Sequence, residues 1–114
     1  MNKLTKDDED SFSVVRKIEQ KTTLSQREMA SELGFSLGKL NYCLKALQKK
    51  GLVKIKNFKK SPKKLNYLYI LTPKGIKYRT ELTINFMKRK MIEYDDLKIE
   101  YEKLKARKKN NKRN

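Results

Sequence analysis

The stretch Ser25-Gln26-Arg27-Glu28-Met29-Ala30-Ser31-Glu32-Leu33-Gly34-Phe35-Ser36-Leu37-Gly38-Lys39-Leu40-Asn41-Tyr42-Cys43-Leu44-Lys45-Ala46-Leu47 decides the fold. Ser25 followed by Glu28 three residues later is a helix-start pattern, because the hydroxyl can accept from the Glu28 amide while the carboxylate reaches back. Met29, Ala30 and Leu33 give that helix an apolar side, and Gly34 ends it. Ser36 then caps a second helix, expected over residues 37–50, with Leu40, Cys43, Leu44 and Leu47 at helical spacing. Only Gly34-Phe35-Ser36 separates the two, so the pair reads as a helix-turn-helix.

Working outward, residues 8–21 carry Phe12, Val15 and Ile18 at helical spacing, with Val14 widening the apolar side and acids in the first turn. Thr22-Thr23-Leu24 is a connector or a one-bridge strand. After Gly51, Leu52-Val53-Lys54-Ile55-Lys56-Asn57 alternates apolar and basic residues, which is strand period. Leu65-Asn66-Tyr67-Leu68-Tyr69-Ile70-Leu71 reads as a second strand. Phe58-Lys59-Lys60-Ser61-Pro62-Lys63-Lys64 between them is expected to be a basic loop, making a hairpin with a cationic tip. Thr72-Pro73 starts a last helix, with proline at the first helical position, where a missing N–H costs nothing.

That helix is expected to run to about residue 106. Ile84, Met87, Met91, Tyr94, Leu97, Tyr101 and Leu104 recur along it as an approximate heptad. At 1.5 Å per residue it would be about 50 Å long, against about 25 Å for the preceding domain. The distal half is therefore expected to project and to bury its stripe against a second copy of the chain. The expected organisation is a disordered N-terminus at 1–7, a DNA-binding domain at 8–72, a coiled-coil-like dimerisation helix at 73–106 and a disordered basic tail at 107–114. The fold class is mainly α with a small β-hairpin.

The 114 residues include 30 Lys and Arg against 13 Asp and Glu, for a net charge of +17. Their placement says more than the total. Residues 33–80 hold 13 of the bases and no acid. Ordinary solvated surfaces interleave both signs, so an uninterrupted positive block points to an anionic partner, and double-stranded DNA is the partner expected. No apolar run approaches the roughly 20 residues that span a bilayer. The first ten residues are acidic where a signal peptide would be apolar, so a cytoplasmic protein is expected, and no membrane partner. There is no histidine, and the single Cys43 reads as a small buried hydrophobe. No metal set, glycine-rich phosphate loop or nucleophile–base pair appears, so neither catalysis nor a cofactor is expected.

On the helix over 37–50, the side away from Leu40, Leu44 and Leu47 carries Gly38, Lys39, Asn41, Tyr42, Lys45 and Lys49, with Ser36 and Leu37 at its start. Recognition helices read the major groove mainly through their N-terminal residues. Asn41 can pair bidentately with adenine and Lys39 can donate to guanine. Gly38 allows close backbone approach, and Tyr42 can meet a sugar, a thymine methyl or a phosphate. Lys59, Lys60, Lys63 and Lys64 at the hairpin tip and Arg27 suit phosphate contact, which positions without reading bases. The competing readings are a protein-interaction adaptor built on the same scaffold, or an RNA-binding protein; a two-stranded hairpin offers little platform for the latter.

Leu24-Ser25-Gln26-Arg27-Glu28-Met29-Ala30, Ser36-Leu37-Gly38-Lys39-Leu40-Asn41-Tyr42-Cys43-Leu44-Lys45-Ala46-Leu47, Lys50-Gly51-Leu52-Val53 and Tyr67-Leu68-Tyr69-Ile70-Leu71-Thr72-Pro73-Lys74-Gly75 together resemble the MarR-type winged-helix regulators. Within them the likeness is to the exopolysaccharide-associated (EPS) group. The resemblance implies a dimeric, DNA-binding regulator of polysaccharide biosynthesis genes. MarR proteins flank the winged helix with helices that interlock around a phenolic-ligand pocket. Here the N-terminal side offers one short helix, so no small-molecule inducer is expected.

Overall fold

A computed structural model describes residues 4–21, 24–61 and 64–113, without the side chains of 58–61, 64–67, 112 and 113. The order of elements is α1 (Lys6–Gln20), α2 (Gln26–Leu33), α3 (Leu37–Lys49), β1 (Val53–Ser61), β2 (Lys64–Leu71) and α4 (Pro73–Arg113). The connector Thr22-Thr23 lies outside the described residues.

α1 starts earlier than its apolar pattern suggests, because Thr5 caps it. The Thr5 hydroxyl accepts from the Asp8 amide at 3.1 Å, and Asp8 accepts from the Thr5 amide at 2.9 Å. Both orphan groups are thus satisfied reciprocally. Ser25 makes the forward half of the same arrangement on α2, accepting from the Glu28 amide at 3.1 Å. Gly34 ends α2 at φ 69°, a left-handed conformation that costs other residues steric strain. The amides of Gly34 and Phe35 donate back to the Ser31 and Ala30 carbonyls, the double closure that lets the chain turn within three residues. Ser36 immediately caps α3 by accepting from the Lys39 amide at 3.1 Å.

Residues up to Thr83 form one compact unit. Its core joins Val14, Val15 and Ile18 of α1, Met29 and Ala30 of α2, Leu40, Cys43, Leu44 and Leu47 of α3, and Leu52, Val53 and Tyr69 from the hairpin, all buried. Buried apolar area is the main favourable term in folding, and this three-helix core with a hairpin laid on it is where the chain collects it.

The hairpin is antiparallel, with Val53 opposite Leu71, Ile55 opposite Tyr69 and Asn57 opposite Tyr67. One side therefore carries Val53 and Tyr69 into the core, and the other presents exposed Lys54 and Lys56. The strands are longer than their alternation suggests. Pairing continues through Phe58–Asn66 and Lys59–Leu65 to Ser61–Lys64, with an irregularity between Lys59 and Ser61. Most of the expected basic loop is thus strand. Register set near the core by the alternation of apolar and basic residues carries the pairing outward along both strands.

α4 is fixed at its start by three contacts. The Thr72 hydroxyl accepts from the Gly75 amide at 3.0 Å and donates to the Gly51 carbonyl at 2.6 Å, while the Lys74 ammonium donates to the Lys50 carbonyl at 3.1 Å. A Cβ at position 75 would collide with the Leu52 backbone carbonyl, so only glycine allows this approach. Arg79 pairs with Glu19 of α1 at 2.5 Å, and Leu82 is buried. The compact unit therefore takes in the opening turns of α4, past the boundary expected at residue 72.

Residues 84–114 form a second unit, helical through Arg113. The helix does not end near residue 106. Beyond Gly75 no Pro or Gly interrupts it, and the cations that fill its last turns suit the negative end of the helix dipole.

Candidate nucleic-acid interface

Successive residues of an α-helix are rotated by about 100°, so position on α3 can be read from number alone. Leu37, Gly38, Asn41, Tyr42, Lys45, Gln48 and Lys49 fall within an arc of about 140°. The core residues Leu40, Cys43, Leu44 and Leu47 occupy the other side. Within the arc Tyr42 is 67% exposed and Leu37 41% exposed. Gly38, Lys45, Gln48 and Lys49 are also exposed, and Asn41 is half-buried. Ser36 stands exposed at the helix start, its hydroxyl already serving as the cap.

Gly38 carries particular weight. A Cβ there would meet nothing within 4 Å, so no neighbour in the unit demands glycine. Yet glycine inside a helix is roughly 1 kcal/mol worse than alanine. The cost has no return within the fold and is consistent with a backbone left bare for an approaching partner.

Lys39 does not join the arc. It sits about 60° beyond Tyr42, and its ammonium lies 3.2 Å from the Asp10 carboxylate of α1 and 4.2 Å above the Phe35 ring. The structure thus brings together Ser36, Leu37, Gly38, Asn41, Tyr42 and Lys45 and holds Lys39 against α1. Gln48 is an arc residue that sequence reasoning passed over; helical angle alone would have found it.

Arg27 is exposed in the first turn of α2. Nearby, Lys21 donates to Glu32 at 2.9 Å and holds that exposed carboxyl below its ordinary pKa. At the hairpin tip, Lys59, Lys60 and Lys64 contribute described backbone only, and Lys63 lies outside the described residues. Lys54 and Lys56, unremarked as site candidates from sequence, are exposed on the outer side of the hairpin. Their signal was the apolar–basic alternation itself.

Cys43 is buried, and burial pushes its thiol pKa up, with Asp10 adding to the shift. Ile84, Met87, Met91, Tyr94, Leu97, Tyr101 and Leu104 are all exposed in the single chain. Among the described residues no group of His, Cys, Asp and Glu could hold a metal ion, and no helix is long and apolar enough to cross a membrane.

Residues 18–54 match a family model described as winged helix-turn-helix DNA-binding. The match runs from the end of α1 through α2 and α3 into β1. The chain carries a winged helix-turn-helix. In these terms α3 is the recognition helix and the β1–β2 hairpin the wing.

Solved structures share the arrangement. The PcaV transcriptional regulator from Streptomyces coelicolor, in complex with its natural ligand, aligns over 72% of this chain and 57% of its own, with a TM-score of 0.64 and 16% identity. A MarR transcriptional regulator from Methanosarcina mazei aligns over 75% of this chain and 60% of its own, with a TM-score of 0.64 and 17% identity. A PadR family transcription regulator from Clostridium difficile aligns over 75% and 96%, with a TM-score of 0.59 and 20% identity. The chain thus covers little more than half the length of the first two. The winged helix with a long helix after it is the fold of these MarR-like structures. No curated protein matches the chain by sequence.

Proposed function

We propose that the chain is a sequence-specific, double-stranded DNA-binding transcriptional regulator that works as a homodimer in the cytoplasm. The observation that carries this reading is the exposed arc of α3, with bare Gly38 beside Asn41, Tyr42 and Lys45, inside a 48-residue block, 33–80, that has no acidic residue. Asn41 reads adenine, Tyr42 meets sugar, thymine methyl or phosphate, and Gly38 lets the helix seat deeply. Ser36, Leu37 and Lys45 border the same contact. Arg27 and the wing lysines Lys59, Lys60, Lys63 and Lys64 neutralise phosphates on either side.

Lys39 contributes by exchanging Asp10 for DNA. A partly exposed ion pair is worth about 0–1 kcal/mol, so releasing it costs little against a charge-assisted bond to a guanine or a phosphate. The compact unit ending at Thr83 serves DNA contact, and the helical unit from Ile84 onward serves pairing. The EPS-group resemblance extends the proposal to exopolysaccharide biosynthesis genes as targets.

Selection of bound genomic fragments by the purified chain, followed by footprinting, tests this. The expected result is enrichment of a common site with two protected half-sites. Failure to retain any duplex at about 100 mM salt, together with capture of a defined protein through residues 82–106, would instead make the chain an adaptor on a winged-helix scaffold.

A further inference from the structure

In the unit formed by residues 84–114, Tyr94, Leu97, Tyr101 and Leu104 follow one another at steps of three and four and line one exposed groove. Each is 59–65% exposed in the single chain. In heptad terms they alternate between the two seam positions of a coiled coil, a and d. Met87 extends the a series one heptad earlier, and Ile84 and Met91 fall at its edge. The charges beside the seam are sorted by sign. Lys98 and Lys105 lie along one edge, one residue after the d positions. Glu93 and Glu100 lie along the other, one residue before the a positions. Lys98 and Glu100 themselves line the groove.

We infer that this groove is closed by a second copy of the chain running parallel and in register. The inference rests on the homodimer reading above and supplies its geometry. In a parallel pair the residue before one a position faces the residue after the following d position on the other helix. Glu93 then faces Lys98 of the second copy, and Glu100 faces Lys105 of the second copy, twice over by symmetry. In an antiparallel pair the same edges meet their own kind, glutamate against glutamate and lysine against lysine, which disfavours association. Glu93 already pairs within its helix with Arg89 and Lys90, both at 3.3 Å, which leaves its carboxylate ionised and at the seam edge. Ile92 and Ile99 lie on the opposite side of the helix and take no part in a two-stranded coil.

Charge exchange in the full-length chain tests the orientation. One variant carries Glu93→Lys with Glu100→Lys, the other Lys98→Glu with Lys105→Glu. Each alone is expected to dimerise about tenfold more weakly than the unaltered chain by sedimentation, and their mixture to recover as a heterodimer. In a Cys43→Ala background, Tyr94→Cys and Leu104→Cys are each expected to oxidise to a disulfide-linked dimer, because a parallel pair places both positions opposite themselves. If the glutamate variant instead pairs with the unaltered chain, or only one cysteine variant crosslinks, the helices are antiparallel and the orientation is wrong while the dimer stands. If the unaltered chain sediments as a monomer or as a trimer or larger, the two-stranded dimer itself is wrong.

Discussion

The Lys39 ammonium of α3 lies 3.2 Å from the Asp10 carboxylate of α1. A cation at the start of the recognition helix is therefore held by the protein's own acid, with the Phe35 ring beneath it. Asp10 is mostly covered while Lys39 keeps more than a third of its side chain exposed, so the lysine is the partner freer to move.

Removing the acid should release that cation. Asp10→Asn is expected to tighten duplex binding by up to about fivefold and to lower stability by less than about 1 kcal/mol, the range of partly exposed pairs. The gain should vanish in a Lys39→Gln background. Fluorescence anisotropy titrations of the four proteins at one salt concentration measure this; an equal gain in both backgrounds would show a general charge effect.

Gly38→Ala separates fold from function. The added methyl meets open space, so the protein should become more stable by about 0.5–1 kcal/mol in denaturant titrations. Duplex affinity should fall at the same time. A variant that is more stable and binds unchanged would remove Gly38 from the interface.

The junction between α3, the wing and α4 should tolerate little. Gly75→Ala drives a methyl into the Leu52 carbonyl and is expected to cost about 1–3 kcal/mol. Thr72→Ala loses both the cap on Gly75 and the bond to Gly51, at a cost of about 0.5–2 kcal/mol. Urea unfolding midpoints give both values.

Cys43 should be slow to react. Burial raises its pKa, so the thiolate fraction at pH 8 is smaller than for a free cysteine. Iodoacetamide should modify it slowly in the native protein and at the ordinary rate in urea. The raised pKa also sets the sign of linkage. The unfolded chain ionises first, so the stability contributed by the neutral buried thiol is complete below the ordinary thiol pKa and is lost as pH rises toward the native value.

Much of this architecture was legible in local chemistry. Ser25, Gly34 and Ser36 mark the helix-turn-helix because caps and left-handed stops depend only on nearby residues. The wing was harder. Lys59, Lys60 and Ser61 look like loop, and only cross-strand pairing to residues 64–65 makes them strand. The sequence places Lys39 near the helix start, whereas its angle around the helix and its distant partner Asp10 decide where it points. The apolar stripe from Met87 to Leu104 is legible as a spacing pattern, but the sorting of Glu93 and Glu100 from Lys98 and Lys105 becomes visible only when positions are laid around the helix.

Salt dependence checks the phosphate part of the account. If each subunit neutralises about four phosphates, the slope of log affinity against log salt for a dimer should lie near −7. Lys60→Ala should make it shallower by about two, one contact per subunit, and weaken selected and random duplexes alike. A slope near zero would mean that the wing and Arg27 do not meet DNA.

The central claim is that the exposed arc of α3 reads bases. Its most direct test is the affinity of Asn41→Ala for a footprinted site and for a scrambled duplex of equal length. The account predicts a loss of about 1–3 kcal/mol on the selected site and almost none on the scrambled one. Equal loss on both, or no loss on either, would contradict it.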